Sequence, residues 1–364
     1  MPEQKELLCQ AWLSCSDSLS MKARQKLKER YPSAQEIFDH FPADILEITG
    51  PKAYHELAGL REKGLDKLNE ALRRYDIQLT VPDDEHYPEQ LRQIPDPPEL
   101  LFYRGTLKKE EPHAIAIVGS RRETRYGREQ AFQIAKDLAA NGVTIISGLA
   151  RGIDTAAHLG ALEAGGRTIA VLGSGIRQIY PKENEALAEK IIMQGGAVVS
   201  EFPPAADPIA YHFPIRNRLV SGFSHAVLLI EAREKSGTLI TIGHALMQGR
   251  EVFALPGPVD APGSVVPNRM LREGASLITC ANDILEDMGW RSASAIVQTA
   301  LPLPDLTNDQ RRLYDALCVE SKDFNELIEF LGFPAQQLNV LITELEMDGL
   351  IEALPGRMYK TTKR

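Results

Sequence analysis

The chain has 364 residues, of which 43% are hydrophobic, so its length suits about two or three domains with buried cores. Its formal net charge of −9 argues against broad, non-specific nucleic-acid binding, although a local basic channel is compatible with it. The four cysteines lack metal-site or disulfide-framework spacing, no apolar run could span a membrane, and MPEQKELL does not resemble a signal peptide. We therefore expect a reduced, soluble, cytoplasmic protein.

Residues 1–75 are predicted to form an all-helical domain. The predicted helices lie near 4–14, 19–30 and 64–75. Between them, ILEITGPKAYHELAGL resembles the turn of a small helical hairpin, with Gly50 at the turn and Pro51 opening the next helix. This pattern is typical of a sterile-alpha-motif-like (SAM-like) module that docks nucleic acid or protein. A helical cap that only covers the main domain fits equally well, so both interpretations stay open.

Residues 76–290 alternate short apolar segments with helices, after a proline-rich lead-in where His86 and Tyr87 are expected to be structural. The predicted strands are 77–81, 100–103, 114–118, 143–146, 168–172, 197–200, 226–230, 252–255 and 277–279. The predicted helices are 130–140, 186–193, one after SGLARGID and one between SGT and Gly249. This alternation predicts a doubly wound, mostly parallel α/β sheet with helices on both faces.

The C-terminal part is predicted to be a second, separate domain. Residues 291–307 are small, polar and proline-bearing, which is typical of a linker. The elements predicted in 308–364 are helices 309–319, 323–331 and 335–348, then a hairpin of 350–354 and 358–361 turning at Pro355-Gly356. That order predicts a winged helix. Its third helix contains Glu344, Glu346 and Asp348 but no Lys or Arg, which favours protein docking over duplex binding.

Glycine-rich loops follow successive strands of the predicted sheet. GSR, SGLARG, GSG and the SGT that starts a helix should all lie at one edge, because parallel strands end together and ligands bind there. Glycine allows close backbone approach, and amides at a helix start point toward an anion. The recurrence of these loops predicts a phosphate-binding edge rather than ordinary turns.

Basic side chains accompany these loops. They are Arg121, Arg122 and Arg125 in the first loop, Arg151 in the second, Lys182 in the third, and Arg216 and Arg218 in FPIRNR. Together they would form a positive groove, with Phe213 or Tyr180 offering a ring face to a base, as in single-strand sites. For Arg218, an internal ion pair with Glu231 fits the sequence equally well.

Common nucleotide motifs and catalytic groups are lacking. GSRRETRYG is neither GxGxxG nor a P-loop, so a dinucleotide cofactor or a P-loop ATPase is not expected. Asp154 and His158 share a helix face but have no nucleophile or metal-ligand partner, and His244 is expected to be structural. Asp154 and Glu201 could orient loop amides or bind a ribose hydroxyl. We expect no enzymatic activity, no metal and no cofactor.

The chain resembles the DprA family, also called Smf or DNA-processing protein A. The motifs that carry the resemblance are IAIVGSRRETRYG, SGLARGIDTAAHLGAL, VLGSGIRQIYPKEN, SEFPP, FPIRNRLVSG, EAREKSGTLIT and FALPGPV. The resemblance implies an extended Rossmann fold that binds single-stranded DNA and loads RecA recombinase onto incoming DNA during natural transformation. It also implies a homodimer through the Rossmann domain, and the single-strand-binding protein is a further candidate partner.

By motif, the DNA-contacting residues of the family correspond to Arg121, Lys182, Phe213, Arg216 and Arg218. Together with the loops, the predicted DNA-binding residues are Gly119, Ser120, Arg121, Arg122, Gly148, Arg151, Gly152, Gly173, Gly175, Lys182, Phe213, Arg216, Asn217, Arg218, Ser236, Gly237 and Thr238. The sequence locates neither the RecA-contacting surface nor the dimer interface. Leu246, Met247 and Val252 are candidates for the interface, but they could equally belong to the core.

An enzyme of the same fold is the alternative. Lysine-decarboxylase-like phosphoribohydrolases cleave the N-glycosidic bond of a nucleoside monophosphate and resemble PGGxGTxxE at the corresponding loop. Here that loop is EKSGTLIT, which lacks the double glycine and has no Glu three residues beyond the Thr. The difference favours the DNA-binding interpretation.

Overall fold

The computed structural model describes residues 2–16, 18–290, 306–319, 321–354 and 356–362. The chain divides into two compact units, Met1–Arg291 and Ser292–Arg364. The linker predicted at 291–307 lies outside the described residues except for its last two positions. Across the described part of the chain, no helix is both long and apolar enough to cross a membrane.

The N-terminal region is helical, as predicted. Its helices are α1 (Pro2–Ser14), α2 (Met21–Arg30), α3 (Ala34–His40), α4 (Ile45–Lys63) and α5 (Leu65–Arg74). At Gly50, α4 has a φ of 77° and bends, which confirms the turn predicted before Pro51. Buried Trp12, Leu27 and Leu57 form a core between the helices. The likeness to a SAM-like module stays a prediction.

The helices also pack on the sheet that follows. Ala11 of α1 and Leu72 of α5 share a buried cluster with Phe102 and Leu172. The N-terminal helices and the sheet therefore share a buried cluster, although the chain changes from helices to strands near residue 75. This contact is what a helical cap requires, while a docking role and the domain boundaries themselves stay predictions.

The central sheet has nine strands, and the predicted strands are all present. They are β1 (Gln78–Thr80), β2 (Leu101–Gly105), β3 (Ala114–Val118), β4 (Thr144–Ser147), β5 (Thr168–Val171), β6 (Ala197–Ser200), β7 (Ala226–Leu229), β8 (Glu251–Ala254) and β9 (Ser276–Leu277). Their spatial order is β1-β2-β6-β5-β4-β3-β7-β8-β9. Strands β3 to β9 are parallel to one another, whereas β2 is antiparallel to β6 and β1 is antiparallel to β2.

Helices cover both faces of this sheet. They are α6 (Glu89–Arg92), α7 (Arg125–Ala140), α8 (Ile153–Glu163), α9 (Glu185–Met193), α10 (His212–Gly222), α11 (Thr238–Met247), α12 (Val265–Arg272) and α13 (Ala281–Asp287). In β3, Ala116 faces the cluster that contains α10, α11 and α12, and Ile117 faces the cluster with α7, α8 and α13. Because both faces are covered, every residue of β3 to β7 is buried, and the strands are near-continuous apolar runs.

The chain order creates a crevice between β3 and β7. After β3 the chain continues to β4 on one side, and β7 returns on the other side of β3. The helices that follow, α7 and α11, pack on opposite faces, so the loops after β3 and β7 diverge. Such a topological switch point is where open α/β sheets bind ligands.

No helix is predicted over FPIRNRLVSG, yet α10 spans it. Pro214 lies in its first turn, where a helix tolerates proline because the N–H there has no intrahelical acceptor. Leu219 and Val220 anchor the helix in the core. Proline and basic residues interrupt the apolar period, so the helical pattern is weak at the sequence level.

The second unit has the predicted winged-helix order. Its elements are α14 (Asn308–Val319), β10 (Lys322–Asp323), α15 (Phe324–Leu331), α16 (Ala335–Met347), β11 (Ile351–Leu354) and β12 (Met358–Thr361). Gly332 ends α15 at a φ of 73°, which confirms the predicted turn. Leu313, Leu338 and Leu345 are buried in its core. Pro355 of the predicted hairpin turn lies outside the described residues.

Candidate functional site

A groove of about 670 Å³ opens at the carboxyl ends of β3 and β7. Many of the predicted DNA-binding residues line it: Gly119, Ser120, Arg121, Arg122, Gly148, Phe213, Arg216, Asn217, Ser236, Gly237 and Thr238. A second groove of about 710 Å³ adjoins it, since Arg121 lines both, and contains Arg151 and Gly152. Gly173, Gly175, Lys182 and Arg218 lie outside both linings.

The loop after β3 is shaped by glycine. A Cβ on Gly119 would lie only 2.6 Å from Ile153 Cγ1. Gly152 has a φ of 82°, and a Cβ on it would collide with the carbonyl oxygen of Ser120. The loops after β3 and β4 can therefore pack backbone to backbone. Within the described part of the chain, the amides of Gly119, Ser120 and Arg121 have no hydrogen-bond acceptor. Consecutive unpaired amides of this kind suit an anion.

The SGT segment joins the start of α11 to that loop. The Thr238 hydroxyl donates to the Gly119 carbonyl at 3.2 Å, and the Thr238 amide donates to the Ser236 hydroxyl at 3.2 Å. The Gly237 amide has no acceptor among the described residues. The N-terminus of α11 thus faces the groove beside the loop after β3, which favours bound negative charge.

Exposed cations surround these amides. They are Arg121, Arg122, Arg233 and Lys235. Among the residues that the structure describes, none of their side chains has a carboxylate at ion-pair distance. Arg233 and Lys235 are absent from the predicted site, although EAREKSGT follows β7 at the same edge. The rule that strand ends meet at one edge could have identified them.

Two aromatic rings form one wall of the groove. The Arg121 guanidinium lies 5.1 Å from the centroid of Phe213, and the rings of Tyr180 and Phe213 are 5.7 Å apart at 56°. Gly173 makes room for Phe213, because a Cβ at Gly173 would be 2.7 Å from its ring. Gly173 therefore acts through Phe213 rather than by lining the groove. Gly175 packs similarly against the carbonyls of Pro203 and Pro204.

Arg216, which the sequence predicts as a DNA-contacting side chain, lies inside the fold. It is 3% exposed and donates to the carbonyls of Gly148, at 2.7 Å, and Val171. Asp154 accepts from the amides of Gly148, at 3.1 Å, and Ala150, at 3.3 Å. Burial raises the pKa of Asp154 and lowers that of Arg216 to about 10, and each charge offsets part of the shift on the other. The pair holds the loop after β4, so Arg216 supports the groove floor.

Arg218, also predicted as a DNA contact, is buried and lies outside the groove lining. Its guanidinium donates to Glu201 at 2.8 Å and to Asp96 at 3.0 Å. The alternative partner predicted for it, Glu231, instead accepts from the amide of Thr124 at 2.9 Å and from its hydroxyl. Glu201 therefore pairs with Arg218, and no loop amide among the described residues donates to it.

The remaining predicted cations differ in their pairing. Arg151 forms a bidentate ion pair with Glu183, at 2.8 and 2.9 Å, which raises the pKa of Arg151. Arg125 pairs with Glu129 at 2.6 Å on the surface of α7. Lys182 is exposed on the 3₁₀ turn Lys182–Asn184 and has no carboxylate partner within the described residues. Only Lys182 of these cations is ready to meet a phosphate.

The sequence predicts His244 as structural and offers no catalytic partner for His158. His158 is fully buried, its Nδ1 lies 2.7 Å from the Thr168 hydroxyl, and burial lowers its pKa to about 3. The Thr168 hydroxyl donates onward to the Ile145 carbonyl at 2.7 Å. Burial also lowers the pKa of His244. His158 is therefore neutral at physiological pH and joins α8 to the sheet.

Comparison with known proteins decides the family. The family model described as DNA recombination-mediator protein A matches residues 78–289, and the model of the DprA winged helix domain matches 297–357. The chain belongs to the DprA family. Protein Smf of Escherichia coli (strain K12) is 38% identical over 331 residues, which cover 87% of this chain and 87% of its own. DNA processing protein DprA of Bacillus subtilis (strain 168) is 39% identical over 244 residues, 66% of this chain and 77% of its own.

Solved DprA structures confirm the predicted fold. DNA processing protein A from Streptococcus pneumoniae is similar with a TM-score of 0.63 and 34% identity, over 77% of this chain and 97% of its own. DNA processing protein A from Helicobacter pylori has a TM-score of 0.52 and 30% identity, over 58% of this chain and 95% of its own. The Helicobacter pylori structure gives insight into how that protein binds single-stranded DNA.

Proposed function

We propose that this protein binds single-stranded DNA in the groove between β3 and β7 and acts as a recombination mediator. The observation that carries the proposal is the concentration of Arg121, Arg122, Arg233 and Lys235, without carboxylate partners among the described residues, in a chain of net charge −9. They surround amides without acceptors and an aromatic wall, which together are the parts of a single-strand site. The Helicobacter pylori relative with a single-stranded DNA binding mode supports it.

The parts of the groove have separate roles in this proposal. The three consecutive amides of Gly119 to Arg121 hold one phosphate together, and the amide of Gly237 holds another. The cations contact the DNA backbone on either side of these phosphates. Phe213 and Tyr180 stack on bases, which requires bases that are not paired in a duplex. Binding is therefore insensitive to sequence, sensitive to salt and specific for single strands.

Fluorescence anisotropy with a labelled oligo-dT at several salt concentrations tests the proposal. Arg121→Ala and Lys182→Glu should weaken binding, and each lost phosphate contact should lower the log–log salt slope by about 0.7. Arg125→Ala is the matched control, since Arg125 pairs with Glu129 outside the groove. Unchanged affinity in both the Arg121 variant and the Lys182 variant would contradict the proposal.

The same titration separates the mediator from the phosphoribohydrolase alternative. Among the described residues that line the groove, the carboxylate is Asp154, and its Oδ2 accepts from two loop amides beside Arg216. It is thus poorly placed to act on a glycosidic bond. We expect neither duplex DNA nor AMP to displace the bound oligo-dT. Displacement or hydrolysis of AMP would favour the enzyme instead.

Loading of RecA onto incoming DNA during natural transformation is the finer part of the proposal, and it would place the protein in the cytoplasm. It is supported by the family, whose model describes a recombination mediator. The protein should accelerate RecA filament formation on DNA coated with single-strand-binding protein, measured by RecA ATPase activity, and Arg121→Ala should not. If the wild type and Arg121→Ala accelerated filament formation equally, RecA loading would not depend on DNA binding in the groove.

We also propose that the protein forms a homodimer through its central sheet. β9 is an edge strand, and Leu277 on it is 55% exposed; Leu246 and Met247 at the end of α11 are 63% and 68% exposed. Val252, the third candidate, is 7% exposed and belongs to the core. Light scattering should report a dimer for the wild type and a monomer for Leu277→Asp or Met247→Asp. A wild-type monomer at micromolar concentration would contradict the proposal.

A further inference from the structure

Arg151 differs from the exposed groove cations because its side chain forms an ion pair with a carboxylate. It lies on the loop after β4 and lines the second groove together with Arg121 and Glu183. Its Nε and Nη2 donate to the two carboxylate oxygens of Glu183 at 2.8 and 2.9 Å. Both side chains remain more than half exposed. A cation that lies next to the proposed DNA path is thus held by a carboxylate, whereas its neighbours in the groove are not.

The fold fixes Glu183 opposite Arg151. Asn184, the next residue, is 6% exposed and donates to the Leu149 carbonyl and the Thr155 hydroxyl, both at 2.9 Å. These bonds tie the 3₁₀ turn to the loop that contains Arg151. The ion pair is therefore built into the contact between the two loops and is not a chance meeting of long side chains.

A phosphate can replace the carboxylate of Glu183. The guanidinium fork binds a carboxylate and a phosphate with the same bidentate geometry. Because a solvent-exposed ion pair contributes little to stability, breaking it costs the fold little. Until it breaks, however, Glu183 neutralises Arg151 and repels a phosphate that approaches it. Lys182, which precedes Glu183, stays available throughout.

We infer that Glu183 is a gate on the single-stranded DNA site, which holds Arg151 in the DNA-free protein and yields it to a phosphate of a strand already seated on Arg121. This inference rests on the proposed function. Glu183 is a positioning residue that lowers affinity, so that the strand remains releasable. Removal of its charge should make Arg151 available from the first encounter.

Glu183→Gln tests the gate, because it removes the charge and keeps the shape. In the oligo-dT titration this variant should bind several-fold more tightly than the wild type. Its log–log salt slope should stay close to that of the wild type, because Arg151 contacts the same phosphate in both complexes. Its thermal midpoint should match that of the wild type.

Glu189→Gln is the matched control. Glu189 forms the same kind of bidentate pair, with Arg104 at 2.6 and 3.0 Å, on α9 and β2. Both variants change the net charge by one unit, so a general charge effect would tighten DNA binding equally in both. Equal tightening would overturn the gate, and so would a Glu183→Gln affinity equal to or below that of the wild type.

The Arg151→Ala background identifies the cation involved. The gain from Glu183→Gln should disappear there, and a gain that persists would overturn the role of Arg151. If the wild type binds oligo-dT and Arg121→Ala weakens it while Glu183→Gln changes nothing, the gate alone fails. If the wild type shows no salt-sensitive binding, the proposed function fails and the gate fails with it.

Discussion

The two edges of the central sheet use arginine in opposite ways. At the amino ends of the strands, Arg167 donates to buried Glu111 at 2.7 Å and to the carbonyls of Thr106, at 2.7 Å, and Gly195. At the carboxyl ends, Arg121 and the other groove cations have no carboxylate partner within the described residues. At the amino edge, the charge of Arg167 is paired within the fold and joins the strands. At the carboxyl edge, the groove cations are exposed to solvent.

The difference shows that the partners a charge has within the fold decide its role. Glu111 also accepts from the Thr144 hydroxyl at 2.8 Å, so every polar group in that cluster has a partner within the fold. Exposed cations crowded together repel one another, and a protein keeps such an arrangement where an anion will bind. Variants at the two edges should therefore separate stability from DNA binding.

The largest effect is expected at the amino edge. Arg167→Met would leave Glu111, whose side chain is 4% exposed, as a buried charge without its partner. Loss of one member of a buried pair costs about 3–5 kcal/mol in the free energy of unfolding. Urea denaturation measures this cost. The folded variant should bind oligo-dT with unchanged affinity and salt slope.

Arg104→Met provides the matched control at the same edge. Its partner Glu189 is half exposed, and a pair of this kind contributes about 0–1 kcal/mol. If Arg167→Met cost no more than Arg104→Met, the buried cluster would not be the structural joint described above. A reduced salt slope in Arg167→Met would show that the two edges are not independent.

The next largest effect is expected from the arginine that lies at the carboxyl edge but is buried. Arg216→Met removes the donor to the buried carbonyls of Gly148 and Val171 and a positive charge that stabilises buried Asp154, so the free energy of unfolding should fall by about 3 kcal/mol. The DNA salt slope should stay unchanged, because no phosphate contact is lost. A slope lower by about 0.7 would instead make Arg216 a direct DNA contact.

The smallest change in stability is expected from the groove cations that were not predicted. Arg233→Ala and Lys235→Ala are surface substitutions, which usually alter the free energy of unfolding by about 0.5 kcal/mol or less. Each should lower the salt slope for oligo-dT by about 0.7. Arg125→Ala again serves as the control. A slope equal to that of the wild type in both variants would remove the loop after β7 from the DNA site.

The sequence predicted the sheet well because buried parallel strands are apolar runs bounded by turns. Ala114 to Val118 and Ala197 to Ser200 are strands over the predicted bounds. The glycines of GSR and SGLARG also lie where strand ends meet, as the topological rule requires. The helix α10 was beyond such patterns, because Pro214 and the basic residues around it interrupt the helical period.

By itself, the sequence determined the alternation of strands and helices, the winged-helix order and the edge of the sheet where the loops converge. These properties depend on local periodicity and turn residues. Only the tertiary structure decided which arginines are available: Arg216 and Arg218 are buried, Arg151 is paired with Glu183, and Arg121 faces the groove. The physical reason is that an ion pair joins residues distant in sequence, such as Arg218 and Asp96, and no local pattern encodes that distance.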